Sequence, residues 1–367
     1  MSAGTLATVV IVPFFGATLC IAPAVTRPTV PFGVRVPPER ARATVIRHER
    51  YVYFWRTAAL GLAATITAVL LQGHGSWWLT RIIQLLLVAA DLGCYWLARN
   101  KIIAVKRAED WYAGHRQVVA TDTSWRTDPP RFPVRWLIPA LTVIAATVIV
   151  GVLRYPGLPA RLAVGFGGHG APKSVVSAFA IVAGQLYVTV LWSGLMLIVY
   201  RSRPDIEAAD PAASTRRYRR FLAAFTRAVL TLLALVNLSL LLAALSKWQV
   251  YRLSGLGSAL PVLPFAVGLL ILAAVTVHTG QGGFRLSGGR VGGRAGDGPA
   301  AGTDRDDDRF WKAGLIYLNR DDPAIMVSAR FGVGWTFNVA NPMAWLIIAG
   351  MLAAPAGLAA IVIAAGM

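Results

Sequence analysis

Residues 214–245 read STRRYRRFLAAFTRAVLTLLALVNLSLLLAAL, and this stretch decides the fold. Four arginines crowd its first seven residues, and Arg227 is the one ionisable side chain in the 25 that follow. A hydrocarbon core of about 30 Å takes about 20 apolar residues of helix. Lipid offers no partner for peptide N–H and C=O groups, so a run this long crosses as a helix that bonds internally. The whole chain of 367 residues agrees: 56% is apolar and 14% charged, against about 25% charged in an average soluble domain. Its mean hydropathy is +0.57. A soluble globular protein is thereby excluded, and too little chain remains outside the apolar runs for a large extramembrane catalytic domain.

Working outward, similar runs lie near 3–25, 57–72, 79–98, 134–154, 175–200, 258–278 and 343–366, beside the span at 221–245. The expected fold class is an all-α polytopic membrane protein of about eight transmembrane helices. The boundaries read as a seven-helix membrane domain over 1–278, a Gly/Asp-rich linker over 279–308, a small cytoplasmic turn or hairpin module over 309–342, and a last helix over 343–366. The run at 57–72 is short for a span, but Gln72, Gly73, His74 and Gly75 end it and Trp77 and Trp78 read as an interfacial aromatic belt before the next. The first run has no Lys or Arg before Arg27 and is too long for a secretion signal, so it reads as an uncleaved helix.

Charge orients these spans. The loops 26–56, 99–135, 201–220 and 279–330 hold 29 of the 36 Lys and Arg, the intervening loops five, and every acidic residue except Asp91 lies in the same four loops. Basic loops stay on the cytoplasmic side, which puts both termini outside. The formal net charge of +19 thus reflects topology and attraction to a bilayer with anionic headgroups, with no nucleic acid implied. Cys20 and Cys94 both fall in apolar runs and are expected to pack, since neither a disulfide framework nor a zinc spacing is present.

Within the first basic loop, PFGVRVPPER at 31–40 is too rich in proline for a regular helix and reads as a stiff turn lying on the membrane. An interfacial helix is expected over 41–56, where Arg47 and Arg50 stand beside Tyr51, Tyr53, Phe54 and Trp55. In the second basic loop, Glu109 and Asp110 read as a solvated face. The external loop over 154–174 is full of Gly and Pro and can fold back on the helices; His169 stands there with no second ligand close in sequence. The stretch 280–302, with GGRVGGR inside, lacks a Gly-Lys-Ser/Thr ending and reads as flexible linker, and Asp304, Asp306, Asp307 and Asp308 after it as a helix start or solvated segment. In the module, Asn319, Arg320, Asp321, Asp322 and Pro323 form a strong turn signal between two aromatic-apolar stretches carrying Trp311, Tyr317, Phe331 and Trp335.

Ionisable residues inside a span are costly and mark function by default. Asp91 and Arg227 lie at similar depth from the basic side and are expected to pair, whereas Arg81 is near the outer end and can snorkel. Gln84, Gln185 and Asn237 read as helix glue or as an extension of a polar path.

The loop YPGLPARLAVGFGGHGAPKS resembles the external signature of the bacterial SdpI-like immunity and signalling membrane proteins. Leu158, Pro159, Phe166, Gly170 and Lys173 match the pattern, while the His that precedes its Phe is Gly165 here. The stretch WKAGLIYLNRDDPAIMVSARFGVGWTFNVANP resembles an uncharacterised domain found at the end of such proteins, through Trp311, Gly314, Tyr317, Asn319, Asp321, Asp322, Pro323, Arg330, Phe331, Gly332, Gly334, Trp335, Thr336 and Asn338. PFGVRVPPER is also similar to these relatives. The resemblance implies a bacterial plasma-membrane protein giving immunity to a peptide toxin outside and linked to a regulator protein inside. It makes Leu158, Pro159, Phe166, His169, Gly170 and Lys173 a candidate recognition loop. A non-enzymatic role without cofactor or metal is the expectation, since no nucleophile elbow, HExxH or paired intramembrane carboxylates occur. The alternative is a secondary transporter built on Asp91 and Arg227.

Overall fold

The computed structural model describes residues 3–71, 77–111, 128–163, 170–202, 211–251, 260–286 and 307–364. Its long helices are α1 (Ala3–Val25), α2 (Thr44–Leu71), α3 (Trp77–Ala108), α4 (Ile138–Arg154), α5 (Val175–Arg201), α6 (Pro211–Lys247), α7 (Leu263–Thr279) and α8 (Pro342–Ala364). Six segments, in α2 to α7, are long and apolar enough to cross a membrane, and α1 and α8 contain shorter apolar stretches, Gly16–Val25 and Pro342–Gly357. Each of the six has an apolar window only 17–33% buried, so most of that surface is apolar and uncovered, as a bilayer-facing wall requires.

Two helix groups share the load. α1 packs on α2 and α2 on α3; α6 packs on α4, α5 and α7, with α8 against α5, and α1 also touches α7. Glycine permits the closest approach in the first group: a Cβ at Gly16 would stand 3.4 Å from Gly61 Cα. The second group is bonded across its middle. Gln185 Nε2 donates to Thr147 Oγ1 at 3.1 Å and to the Asn237 carbonyl at 2.9 Å, and Asn237 Nδ2 donates to Thr189 Oγ1 at 3.0 Å. Gln185 and Asn237 are fully buried, so these amides serve the glue reading.

Small antiparallel hairpins complete the structure. β1 (Arg161–Ala163) pairs with β2 (Gly170–Pro172), β3 (Trp311–Lys312) with β4 (Ile316–Tyr317), and β5 (Met326–Ser328) with β6 (Trp335–Phe337). A parallel bridge between Tyr317 and Asn338 ties the last two hairpins together.

Several sequence expectations change. The interfacial helix and the short span are one continuous helix, α2, of 28 residues, because nothing between Arg56 and Thr57 breaks helical bonding. The first part of PFGVRVPPER is no surface turn: Phe32, Val34 and Val36 are fully buried against α2 and α3, while Pro38, Glu39 and Arg40 are exposed. The 279–308 linker is folded at both ends. Gln281–Gly283 forms a 3₁₀ turn with Gln281 buried, and Asp308–Phe310 forms another. The stretch 287–306 lies outside the described residues.

Candidate functional site

The face carrying the basic loops, called the basic face below, brings together three segments far apart in sequence. They are the 29–36 turn, the end of α3, and the module that runs from Asp307 to Asn341. Asp308 is their meeting point. Its Oδ2 accepts from Lys106 Nζ at 2.8 Å, and its Oδ1 from Arg330 Nη1 and, at 3.5 Å, from the Arg35 backbone N–H. Arg330, with 3% of its side chain exposed, also donates to the Gly33 carbonyl at 3.3 Å and lies 4.7 Å over the Trp311 ring. Burial alone would push the Asp308 carboxyl up, but the charges and hydrogen bonds of Arg330 and Lys106 outweigh it and hold the group below its ordinary value.

Beside this ion cluster two tight turns face each other. Phe32 and Ala313 have φ of 47° and 54°, each followed by a positive-φ glycine, Gly33 and Gly314. A Cβ at Gly33 would stand 2.6 Å from the Gly314 carbonyl oxygen, so only glycine fits there. The Tyr95 hydroxyl lies between them, 3.0 Å from the Phe32 carbonyl and 2.9 Å from that of Ala313, and Arg99 Nη1 donates to Phe32 O at 3.2 Å. Left-handed backbone at a non-glycine residue costs about 1–2 kcal/mol, and here polar partners fix it. Phe331 fills the aromatic pocket under the turns, 4.7 Å edge-on to Tyr95 and 5.9 Å from the Phe32 ring.

The module's other side sits on the second helix group. Trp335 packs 5.9 Å from Phe221 and 5.5 Å from Phe225, and its Nε1 donates to the Tyr218 hydroxyl at 3.3 Å. Gln281 joins the two sides: its Nε2 donates to the Ala329 and Gly334 carbonyls, and its Oε1 accepts from Gly334 N–H at 2.9 Å. Gly332 N–H donates to Thr26 Oγ1 at the end of α1, 2.8 Å away.

Inside the module, the buried polar residues are architecture. Tyr317 OH donates to Asp322 Oδ2 at 3.0 Å, and Asn319 Nδ2 donates to Tyr317 OH at 3.2 Å. Asn319 Oδ1 accepts from Asp321 N–H. Asn338, fully buried, accepts from Asn319 N–H and donates to the carbonyls of Asn319 and Asp322. The Pro323 carbonyl accepts from Asn341, whose Oδ1 caps α8 at Met343 N–H. Residues 320–345 match a family of unknown function, DUF5808. That supports an uncharacterised domain at this end of the chain and covers the buried turn, the last hairpin and the start of α8. No curated protein and no solved structure matches the chain.

At the opposite ends of α4, α5 and α6, the described parts of the 154–174 loop pack on the helices. Leu158 and Leu162 are buried in one cluster with Ala178, Ala244 and Trp248. Lys173 donates to the Pro156 carbonyl at 3.0 Å and stands 5.1 Å over Tyr155; it holds the loop's base. Pro159 is half-buried, Gly170 opens β2, and Phe166 and His169 lie outside the described residues.

The expected pair of Asp91 and Arg227 does not form. Asp91 is buried in the first helix group and neither carboxylate oxygen meets a hydrogen-bond donor. Arg227 is exposed on α6, 6.0 Å over the Trp136 ring. Equal depth did not make them neighbours, because α6 belongs to the other group. Glu109 is a surface partner of Arg40 at 3.1 Å and accepts from Trp111 Nε1. Cys20 and Cys94 carry no disulfide. Among the described residues no group of three or more His, Cys, Asp or Glu gathers as a metal site.

Sequence reading missed Lys106, Tyr95, Arg99 and Gln281; it took Asp304, Asp306, Asp307 and Asp308 for a helix start or solvated segment, and Asp307 does cap the short Asp308–Phe310 turn, while the ion cluster around Asp308 was not foreseen. One signal was available: in 32–36 the apolar Phe32, Val34 and Val36 alternate with Gly33 and Arg35, the period of a segment with one buried face.

Proposed function

We propose that this chain is a non-enzymatic, multi-pass bacterial plasma-membrane protein that senses or resists an insult to the envelope, a membrane-active peptide toxin being the agent the sequence resemblance favours. The observation that carries the reading is α6. One end of it bears the Trp335 contact of the module, and the other bears the Leu158 and Leu162 cluster of the external loop. From Tyr218 to Trp248 is about 45 Å at 1.5 Å per residue, so a single rigid helix links a surface outside to a module inside. The module also grips the first helix group through Asp308, Arg330 and Phe331. A shift of α6 at the outer loop therefore changes how the module bridges the two groups, where a regulator protein can read it.

The test is expression in a sensitive Gram-positive host, with membrane potential recorded during challenge by peptide toxins. Protection by wild type that is lost when Leu158–Lys173 is replaced by an unrelated loop is the expected result. Full sensitivity with the protein present in the membrane overturns the immunity reading for those toxins.

A second reading, transport, is favoured by one observation: Asp91 is buried with both oxygens unpartnered, the state of a carboxylate awaiting a proton or cation. Under that reading Asp91→Asn abolishes flux and leaves toxin protection unchanged.

A further inference from the structure

The basic face also holds a group of guanidinium side chains that neither reading uses. Arg50, in the second turn of α2, has its Nε and Nη2 shut off from solvent with no acceptor in reach. Arg285, of the same sign, lies near enough for its charge to act on Arg50. Arg285 is anchored in place: its Nη1 donates to the Val277 carbonyl at 2.6 Å and its Nη2 to the Ala24 carbonyl at 2.7 Å. Arg27 stands by the same turn, its Nη2 2.8 Å from where a Cβ at Gly282 would lie. The nearby acid Glu49 is already engaged by Lys101 at 3.0 Å. Like charges held together by the ends of α1 and α7 and the start of α2 repel one another unless an anion lies between them.

We propose that Arg50 and Arg285 form a binding site for a phosphate group. Guanidinium forks match phosphate oxygens in pairs, and the site lies where the helices leave the apolar layer. A phosphodiester of an anionic lipid headgroup and a free phosphate offer the same chemistry. The proposal goes beyond the envelope-sensing reading and stands whether or not that reading does.

The test uses the full-length protein in neutral detergent, following thermal unfolding while titrating phosphatidylglycerol, phosphatidylcholine, or inorganic phosphate against chloride at matched ionic strength. Wild type should be stabilised by phosphatidylglycerol and not by phosphatidylcholine. Arg50→Gln and Arg285→Gln should each weaken the apparent affinity about tenfold or more, the loss of one charged hydrogen-bonding partner. Arg107→Gln, which removes the same charge from the exposed end of α3, should change it little. Should Arg50→Gln fail to fold, Arg50→Lys keeps the charge, loses the fork and should bind with intermediate affinity. Inorganic phosphate matching the lipid's effect, with the same loss in the variants, would identify free phosphate as the source and support the site. Stabilisation of all variants to the same degree, or of none including wild type, would overturn it.

Discussion

Asp308 answers to three partners, and its chemistry sets the conditions under which the module stays docked. Because its folded-state pKa lies below the ordinary value, its contribution is complete above about pH 4 and is lost as the pH falls through the lower folded value. Docking should therefore be indifferent to pH across the neutral range and weaken only in strong acid, which limited proteolysis of the module against pH will show. Asp308→Asn removes the charge at every pH and leaves Arg330 buried beside a neutral amide. We expect a loss of about 2–3 kcal/mol in thermal or denaturant unfolding, below the full buried-pair penalty because 32% of the Asp308 side chain is exposed. Asp91 predicts the opposite behaviour. Its carboxylate gains nothing from a partner, so Asp91→Asn should leave thermal stability unchanged or raise it, and a clear loss would show a donor contact that the structure lacks. Residue chemistry alone could name Asp91 as unusual, yet not its neighbours. Depth along a helix is written in the sequence, whereas the group to which that helix belongs is not.

At the scale of elements, the apolar runs marked the long helices of the described residues, six of them long and apolar enough to cross a membrane, because each run had to satisfy its own backbone. Their ends were less visible. α2 begins at Thr44 and α6 at Pro211, well outside the apolar runs, since basic and aromatic residues continue a helix into the headgroup layer without breaking its bonds. The Asn319–Pro323 turn was legible from its residue types. That Asn338 would close it was not, because the partner lies nineteen residues away in sequence. Asn338→Ala strips this buried turn of one acceptor and two donor bonds. A cost of about 2–4 kcal/mol is expected, visible as earlier proteolysis within 311–341 while the helical signal in circular dichroism persists. The 29–36 turn was misread for a physical reason: proline and arginine are surface residues on average, but here the prolines shape a chain whose apolar side chains alternate into the core formed by Tyr53, Tyr95 and Ile102.

For the molecule as a whole, the module holds two helix groups at one face while the 154–174 loop, at the opposite end, rides on only one of them. Trp335 is the contact on α6 whose removal should separate the two without unfolding either. Trp335→Ala is expected to widen the distribution of distances between spin labels placed on α3 and α6 at the basic face, measured by double electron-electron resonance, with the distances within each group unchanged. A distribution as narrow as wild type would place the coupling elsewhere.

Gln281 gives the last consequence. Its side-chain amide donates to and accepts from Gly334 as a neighbouring strand's backbone would, so a single side chain closes the end of a sheet edge. Open edges recruit other polypeptides. Gln281→Ala should leave that edge looking for a replacement, and the expected sign is self-association of the purified protein in light scattering, a fault of sociability rather than of folding.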